Sequence, residues 1–245
     1  MIQANRCNTE EPMGTSIFKG SIAEPERLTK ARLLDVAERL FADHGIDGTS
    51  LRQITKQAEA NLGAVNYHFG SKDGLIAAVF ARRLEPLSAE QSALLDAVEL
   101  GAGEQPARLE DVLRAIIQPA MIGESSLHEG QEPFRRLMGR VFTEPGSQVQ
   151  LLVKAQFEKV SQRFDRLLTR SLPQLSPEEL FWRRQFLIGA LHHVLLISDK
   201  PESYASPGLH LSFEPHRMVE RLVDFAAAGF RVPPPSAENQ ERRNP

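Results

Sequence analysis

The chain has a single cysteine, Cys7, among 245 residues. One thiol cannot close a disulfide within the chain or supply a thiolate zinc site, which suits the reducing cytoplasm. No stretch approaches the roughly 20 consecutive apolar residues that a membrane-spanning helix needs, and the opening run MIQANRCNTEEPMG lacks an apolar signal core. Strand-like alternation and internal repeats are missing. So are the phosphate-cradling G-x-x-x-x-G-K-S/T loop, the G-x-S-x-G elbow and the G-x-G-x-x-G turn. His192 and His193 are adjacent, so on a helix they point about 100° apart and do not share a metal. The carboxylates are scattered along helix faces. These absences leave no nucleophile–base set, no cofactor site and no metal site, and they disfavour an enzyme.

What is present is helix. Hydrophobic residues make up 41% and charged residues 25%, ordinary values for a globular chain. The net charge is -3, but it is unevenly spread. Arg27 to Arg83 holds nine Lys/Arg against six Asp/Glu, a balance of +3, which leaves -6 for the remainder. A mildly basic segment on an acidic body suits a protein that touches a polyanion at one end.

That basic segment contains the most informative stretch, TSLRQITKQAEANLGAVNYHFGSK, Thr49 to Lys72. Ser50 is a good helix N-cap, and Gln53 sits three residues on, where its amide reaches back to the cap. Leu51, Ile54, Thr55 and Ala58 share a helical face. Glu59 to Asn61 is a short break. A second helix runs from about Leu62 to Phe69 and stops at Gly70, with Ser71 capping the next helix. Two short helices on a three-residue turn have the dimensions of a helix-turn-helix, whose second helix fits the major groove.

Leu62, Val65 and Phe69 give that second helix one apolar stripe for packing. Gly63 and Ala64 are small enough to let the backbone approach base edges, and the Asn66 amide can pair with adenine. Tyr67 and His68 offer donors to phosphate, and Lys72 offers a cation. The candidate DNA contacts are Thr49, Ser50, Gln53, Leu62, Gly63, Ala64, Asn66, Tyr67, His68 and Lys72.

The runs FADHGIDGTSLRQI (Phe41 to Ile54) and YHFGSKDGL (Tyr67 to Leu75) resemble the helix-turn-helix of the TetR family of bacterial transcriptional regulators. Within it, AVNYHFGSK (Ala64 to Lys72) looks most like the fatty-acid-responsive, PsrA-like branch. PEELFWRRQFLIGA (Pro177 to Ala190) is similar to the corresponding part of that branch, so the likeness covers roughly residues 27 to 230. One position departs. Most TetR-like recognition helices carry an aromatic where this chain has Asn66, which puts an adenine-reading amide in place of the usual contact. The resemblance implies a ligand-relieved repressor with a long-chain acyl effector, a fatty acid or its coenzyme A ester.

The rest of the chain reads as further helices. Met1 to about residue 24 is an arm without helical period. A first helix runs from near Pro25 to His44, burying Leu33, Ala37, Leu40, Phe41 and His44. After Ser71 a helix is expected from Lys72 to about Leu100, and Pro86 either bends it or marks an end at Leu84. Further helices are expected at Leu109–Met121, Phe134–Thr143, Ser147–Ser171, Pro177–Ile197 and Pro215–Phe230, with a tail over residues 232–245. The expected fold is all-α, with about nine helices. A three-helix DNA-binding domain spans residues 25–85, with its motif at 50–69. A helical ligand-binding and dimerisation domain spans 86–231.

Two jobs suit that second domain. One is homodimerisation through the last two helices, 177–197 and 215–230, because a single recognition helix gives little affinity and two half-sites of a palindrome need two copies. Leu180, Leu187, Leu191, Val194 and Leu195 offer one surface, and Met218, Leu222 and Phe225 the other. The second job is holding a small apolar effector between helices, with Phe134, Phe157, Phe164, Trp182 and Phe186 as candidate pocket residues. Arg183, Arg184, His192 or His193 could face an acyl carboxylate or phosphate. A helical acyl-binding protein without DNA binding, and an activator on the same scaffold, are the competing readings.

Overall fold

The computed structural model describes residues 23–122, 133–134, 136–138, 148–198 and 201–234. The described residues form helices and the turns between them, with no strand. The helices are α1 (Ala23–His44), α2 (Leu51–Gln57), α3 (Leu62–Phe69), α4 (Lys72–Ala102), α5 (Leu109–Ile122), α6 (Gln148–Ser171), α7 (Pro177–Ile197) and α8 (Pro215–Arg231). A short 3-10 turn, Pro201–Tyr204, lies between α7 and α8. Residues 133–134 and 136–138 are also helical, inside the helix expected from Phe134. The remainder of that helix, the first 22 residues and most of the tail lie outside the described residues.

The front of the chain packs where its spacing says it should. Leu33, Ala37, Leu40 and Phe41 of α1 are buried, and so are Ile54 of α2, Val65 of α3 and Leu75 and Val79 of α4. Helix α1 begins at Ala23, two residues before the proline that the sequence suggests as its start, and Gly45 ends it with its N–H on the Phe41 carbonyl (2.9 Å). His44, expected on the buried face, is exposed. Two glycines are fixed by close approach. A Cβ on Gly48 would lie 2.4 Å from the His44 carbonyl oxygen, and one on Gly74 would lie 2.0 Å from that of Phe69. No side chain fits at either place, so α2 and α4 can press against the ends of α1 and α3 only with glycine there.

The structure decides the question of Pro86. Helix α4 is one element of 31 residues with Pro86 inside it, and it does not end at Leu84. The missing N–H removes one backbone bond, but buried side chains on both sides, Phe80 and Leu84 before and Leu87, Gln91 and Leu95 after, hold the helix against the core. One continuous helix therefore runs from the helix-turn-helix into the following helices.

Glu38 of α1 ties that element down. Its carboxylate is 4% exposed and accepts from Arg82 Nη2 (2.6 Å), Arg83 Nε (3.0 Å) and Arg83 Nη2 (2.9 Å). Arg82 also reaches Asp35 (2.6 Å). Burial works against the Arg82 charge, but the hydrogen bonds to Glu38 and Asp35 outweigh it and raise its pKa above the ordinary value. Farther on, α8 lies along α5, clamped by Arg114–Glu220 (2.8 Å) and Arg231–Glu110 (2.5 Å). Helix α6 lies along α4, with Arg163 on Glu99 (2.6 Å) and Asp96. Arg163 holds the Glu99 carboxyl below its usual range, and Arg114 does the same for Glu220. These outer pairs are largely solvated and contribute little.

Glu38 differs because it is buried. Replacing it with alanine strands two half-buried guanidinium groups. Glu38→Ala is expected to lower stability by about 2–3 kcal/mol, less than a fully buried pair because Arg82 and Arg83 keep some water. Glu220→Ala should cost under about 1 kcal/mol. Urea denaturation midpoints of the two variants check the contrast.

Candidate nucleic-acid interface

Helix α2 is built by a reciprocal cap. Ser50 Oγ accepts from the Gln53 N–H (3.3 Å), and Gln53 Oε1 accepts from the Ser50 N–H (2.8 Å) and hydroxyl (2.7 Å). Helix α3 has its own cap, at a residue that the sequence suggests only as part of a break. Asn61 Oδ1 accepts from the Ala64 N–H at 2.8 Å. The signal was available, since asparagine is among the preferred N-cap residues. The turn between the helices holds Glu59 at φ 50°, a left-handed conformation in a residue with a side chain.

On this frame α3 buries Val65 completely and presents the opposite side to solvent. Gly63, Asn66 and Tyr67 are exposed, Tyr67 to 73%, with Ser50 and Gln53 exposed on α2. Ala64 and His68 are half-buried, and the His68 ring lies edge-on to Tyr67 with centroids 5.0 Å apart. Leu62 does not join the packing stripe with Val65 and Phe69. It is 46% exposed, because the first residue of so short a helix projects past the body of α2.

Besides Ser50 and Gln53, whose side chains make the cap, Thr49 and Lys72 also have partners within the protein. Thr49 is 1% exposed, and its hydroxyl lies 3.1 Å from the Leu40 carbonyl oxygen and 2.8 Å from that of Gly45. Its side chain ties the end of α1 to the start of α2 and has no face toward a phosphate, which corrects the expectation from sequence. The ammonium of Lys72 donates to the Ile46 carbonyl at 2.7 Å. That bond uses one of three donors and fixes the head of α4 against the loop before α2.

The second candidate site is a cavity of about 230 Å³, partly open to solvent, between α4, α5, α6 and α7. Phe157 and Phe164 line it, and so do Arg184 and His192. The other three aromatics do not. Phe134 is fully buried edge-on against Phe80, centroids 5.6 Å apart, and belongs to the core. Trp182 and Phe186 are 50% and 68% exposed on the outer side of α7, where they stack 6.5 Å apart. The reason is angular: Leu187 and Leu191 take the inward side of α7, so positions 182 and 186 point away.

Arg183 is also withdrawn from ligand binding. Its Nη1 donates to the carbonyls of Phe230 (2.8 Å) and Val232 (2.6 Å), which caps the end of α8, while Glu179 holds the other side. Arg184 pairs with Asp165 at 3.1 Å. Burial pushes the His192 pKa down to about 4, so its imidazole is neutral at neutral pH. A lining residue missed from sequence is Gln91. With Ser88 it interrupts the buried series Leu84, Leu87, Ser88, Gln91, Leu95 of α4, and an amide within an apolar stripe was the readable sign.

Thr49→Val keeps the shape and removes the hydroxyl. It should lower stability by about 1–2 kcal/mol while DNA affinity of the folded protein stays unchanged. A thermal melt reads the first and a fluorescence anisotropy titration the second; unchanged melting with weakened binding would return Thr49 to the DNA face.

Comparison with known proteins agrees with this geometry. Residues 33–79 match the family model described as bacterial regulatory proteins of the tetR family, and residues 114–229 match the tetracyclin repressor-like C-terminal domain. The chain is 40% identical over 52 residues to the transcriptional regulator AcrR of Shigella flexneri, covering 21% of this chain and 24% of that protein. It is 38% identical over 65 residues to SrpR of Pseudomonas putida, covering 26% and 30%. The chain thus spans only about a quarter to a third of the length of these relatives. Over longer stretches the likeness is one of fold. The fatty acid degradation regulator FadR of Bacillus halodurans superposes with a TM-score of 0.55 at 14% identity, covering 83% of this chain and 96% of that one. SmeT, solved as a triclosan complex, does so at 0.56 and 24%, covering 84% and 96%. At these identities neither neighbour singles out a fatty-acid branch. With both family models matched in order along the chain, one on the helix-turn-helix and one on the helices behind it, the protein belongs to the TetR family of bacterial regulatory proteins.

Proposed function

We propose that this chain is a cytoplasmic, homodimeric, sequence-specific DNA-binding repressor, relieved by a small apolar effector. Residues 25–85 form the DNA-binding domain and 86–231 the effector and dimerisation domain, with α4 common to both. The observation that carries the reading is the outer side of α3. An eight-residue helix buries Val65 against the protein and leaves Gly63, Asn66 and Tyr67 exposed to solvent. Its N-terminus and that of α2 offer N–H groups to phosphate. Asn66 reads one base pair, Gly63 and Ala64 permit close approach, and Tyr67, His68 and Lys72 fix register on the backbone.

The second copy is called for by α7 and α8. Helix α7 is apolar on both sides, and only one side is used. Leu180, Leu187, Leu191 and Leu195 are buried within the chain, as is Leu222 of α8, so these leave the interface expected from sequence. The exposed apolar surface is instead Phe181, Trp182, Phe186 and Leu196 on α7 and Phe225 on α8. Exposed aromatics of this number on two neighbouring helices favour burial against an identical pair, an isologous interface.

Relief of repression fits the course of α4. Arg82 and Arg83 hold the front of the chain, and Leu84, Leu87 and Gln91 line the cavity within the next three turns. A ligand that favours one setting of α4 favours one spacing of the paired α3 helices, provided its affinity for the two settings differs. The names of FadR and SmeT's complex lend support to an apolar effector. A long-chain acyl effector rests on the resemblance of Ala64–Lys72 and Pro177–Ala190 alone. The cavity's 230 Å³ falls short of the roughly 300–1,000 Å³ usual for ligand sites.

Two measurements test the proposal. In a gel shift on the DNA upstream of its own coding sequence, the protein should bind more weakly at 200 mM than at 50 mM salt. Asn66→Ala should relax preference at one base pair by about 1–3 kcal/mol. Salt-independent binding, or none, would sink the reading. In sedimentation, the wild type should run as twice 27.3 kDa. The double variant Phe186→Glu, Phe225→Glu should run as a folded monomer with at least tenfold weaker DNA binding; an unchanged dimer would move the interface elsewhere.

A further inference from the structure

The cavity behind α4 has a specific polar demand. Gln91 is 5% exposed, and its Nε2 donates to the Ile116 carbonyl at 2.9 Å. That bond fixes which way the amide faces, since the opposite orientation would set two oxygens against each other. The remaining atom, Gln91 Oε1, is buried and has no donor among the described residues. A buried acceptor left without a donor is costly, and native structures rarely keep one without a reason. Gln91 lines the cavity, whose other walls are mainly apolar: Leu87, Phe157, Phe164 and Leu191.

Size and charge restrict the occupant further. An apolar cavity of about 150 Å³ holds benzene, so 230 Å³ suits a body of about nine non-hydrogen atoms. Among the described residues, the inner walls provide no unpaired full charge for an anion. Arg184 pairs with Asp165 through one Nη, so its charge is met, although its Nε is a second buried polar atom without a partner among the described residues; Lys154 is exposed, and the buried His192 imidazole is neutral.

We propose that this cavity binds a small neutral molecule, one ring in size, that carries a hydrogen-bond donor such as a phenolic hydroxyl, and that Gln91 Oε1 accepts that donor. The inference rests on the reading of this cavity as the effector site. It narrows that site to a donor-bearing, monocyclic ligand and sets it against a long-chain acyl tail, whose volume the site cannot enclose.

The test is isothermal titration calorimetry on the intact protein with three probes. These are 4-ethylphenol, its near-isostere 1-ethyl-4-fluorobenzene, which lacks the donor, and hexadecanoate. The phenol should bind about tenfold more tightly than the fluoro compound, the effect of one buried hydrogen bond, and hexadecanoate should bind weakest. In Gln91→Leu the phenol should lose that advantage while the fluoro compound binds as well or better. The wild-type comparison stands even if the variant fails to fold. Equal affinities of the two ring compounds, tighter binding of hexadecanoate, or no heat from any probe would overturn the inference. The phenol is then added to the gel shift. Release of DNA supports both readings, whereas calorimetric binding without release keeps the ligand class and sinks the effector role.

Discussion

A single buried carboxylate ties the first helix of this protein to the long helix α4. Glu38 sits in the packed face of α1, where a lone charge would be expelled, and it stays because Arg82 and Arg83 approach it from α4. Burying that charge is tolerable only with both partners in place. The orientation of α1 on α4, and with it the position of α2 and α3, is therefore set by ionic geometry as well as by apolar packing. Apolar packing alone tolerates small sliding, whereas a two-arginine clamp on one buried carboxylate tolerates much less.

The same helix carries the constraint backwards. Helix α4 continues past Pro86 without a break, and its next buried side chains form one wall of the cavity. A proline at the junction costs one backbone bond but leaves the helix pinned by buried side chains on both sides. The two glycines of close approach, Gly48 and Gly74, complete the linkage by letting α2 and α4 abut α1 and α3 backbone to backbone.

Helix α7 shows a different economy. It carries large apolar residues on two sides, the outer aromatics exposed and the inner leucines lining the cavity. The proposed dimer surface and the proposed effector site are thereby opposite sides of one helix. Arg183 between them is spent on closing the end of α8, which locks the two helices together as one slab.

Much of this was legible in the chain itself, because it depends on local chemistry. The Ser50–Gln53 cap, the stop at Gly70, the inward stripe of α1 and the outward Asn66 and Tyr67 depend on residues within a turn or two of each other, and periodicity reports them faithfully. So do the boundaries of α7 and α8, marked by Pro177 and Pro215. Tertiary structure alone decided what depends on partners far along the chain. Thr49 looked like a phosphate ligand until Leu40 and Gly45 closed over it. Trp182 and Phe186 looked like pocket walls, because an aromatic on a helix with apolar residues on two sides gives no sign of which side is inward. The Glu38 clamp joins residues more than forty apart, and the Gln91 acceptor has meaning only once Ile116 has claimed the amide nitrogen. Sequence spacing fixes a side chain's angle on its own helix; only the assembled fold fixes what that angle faces.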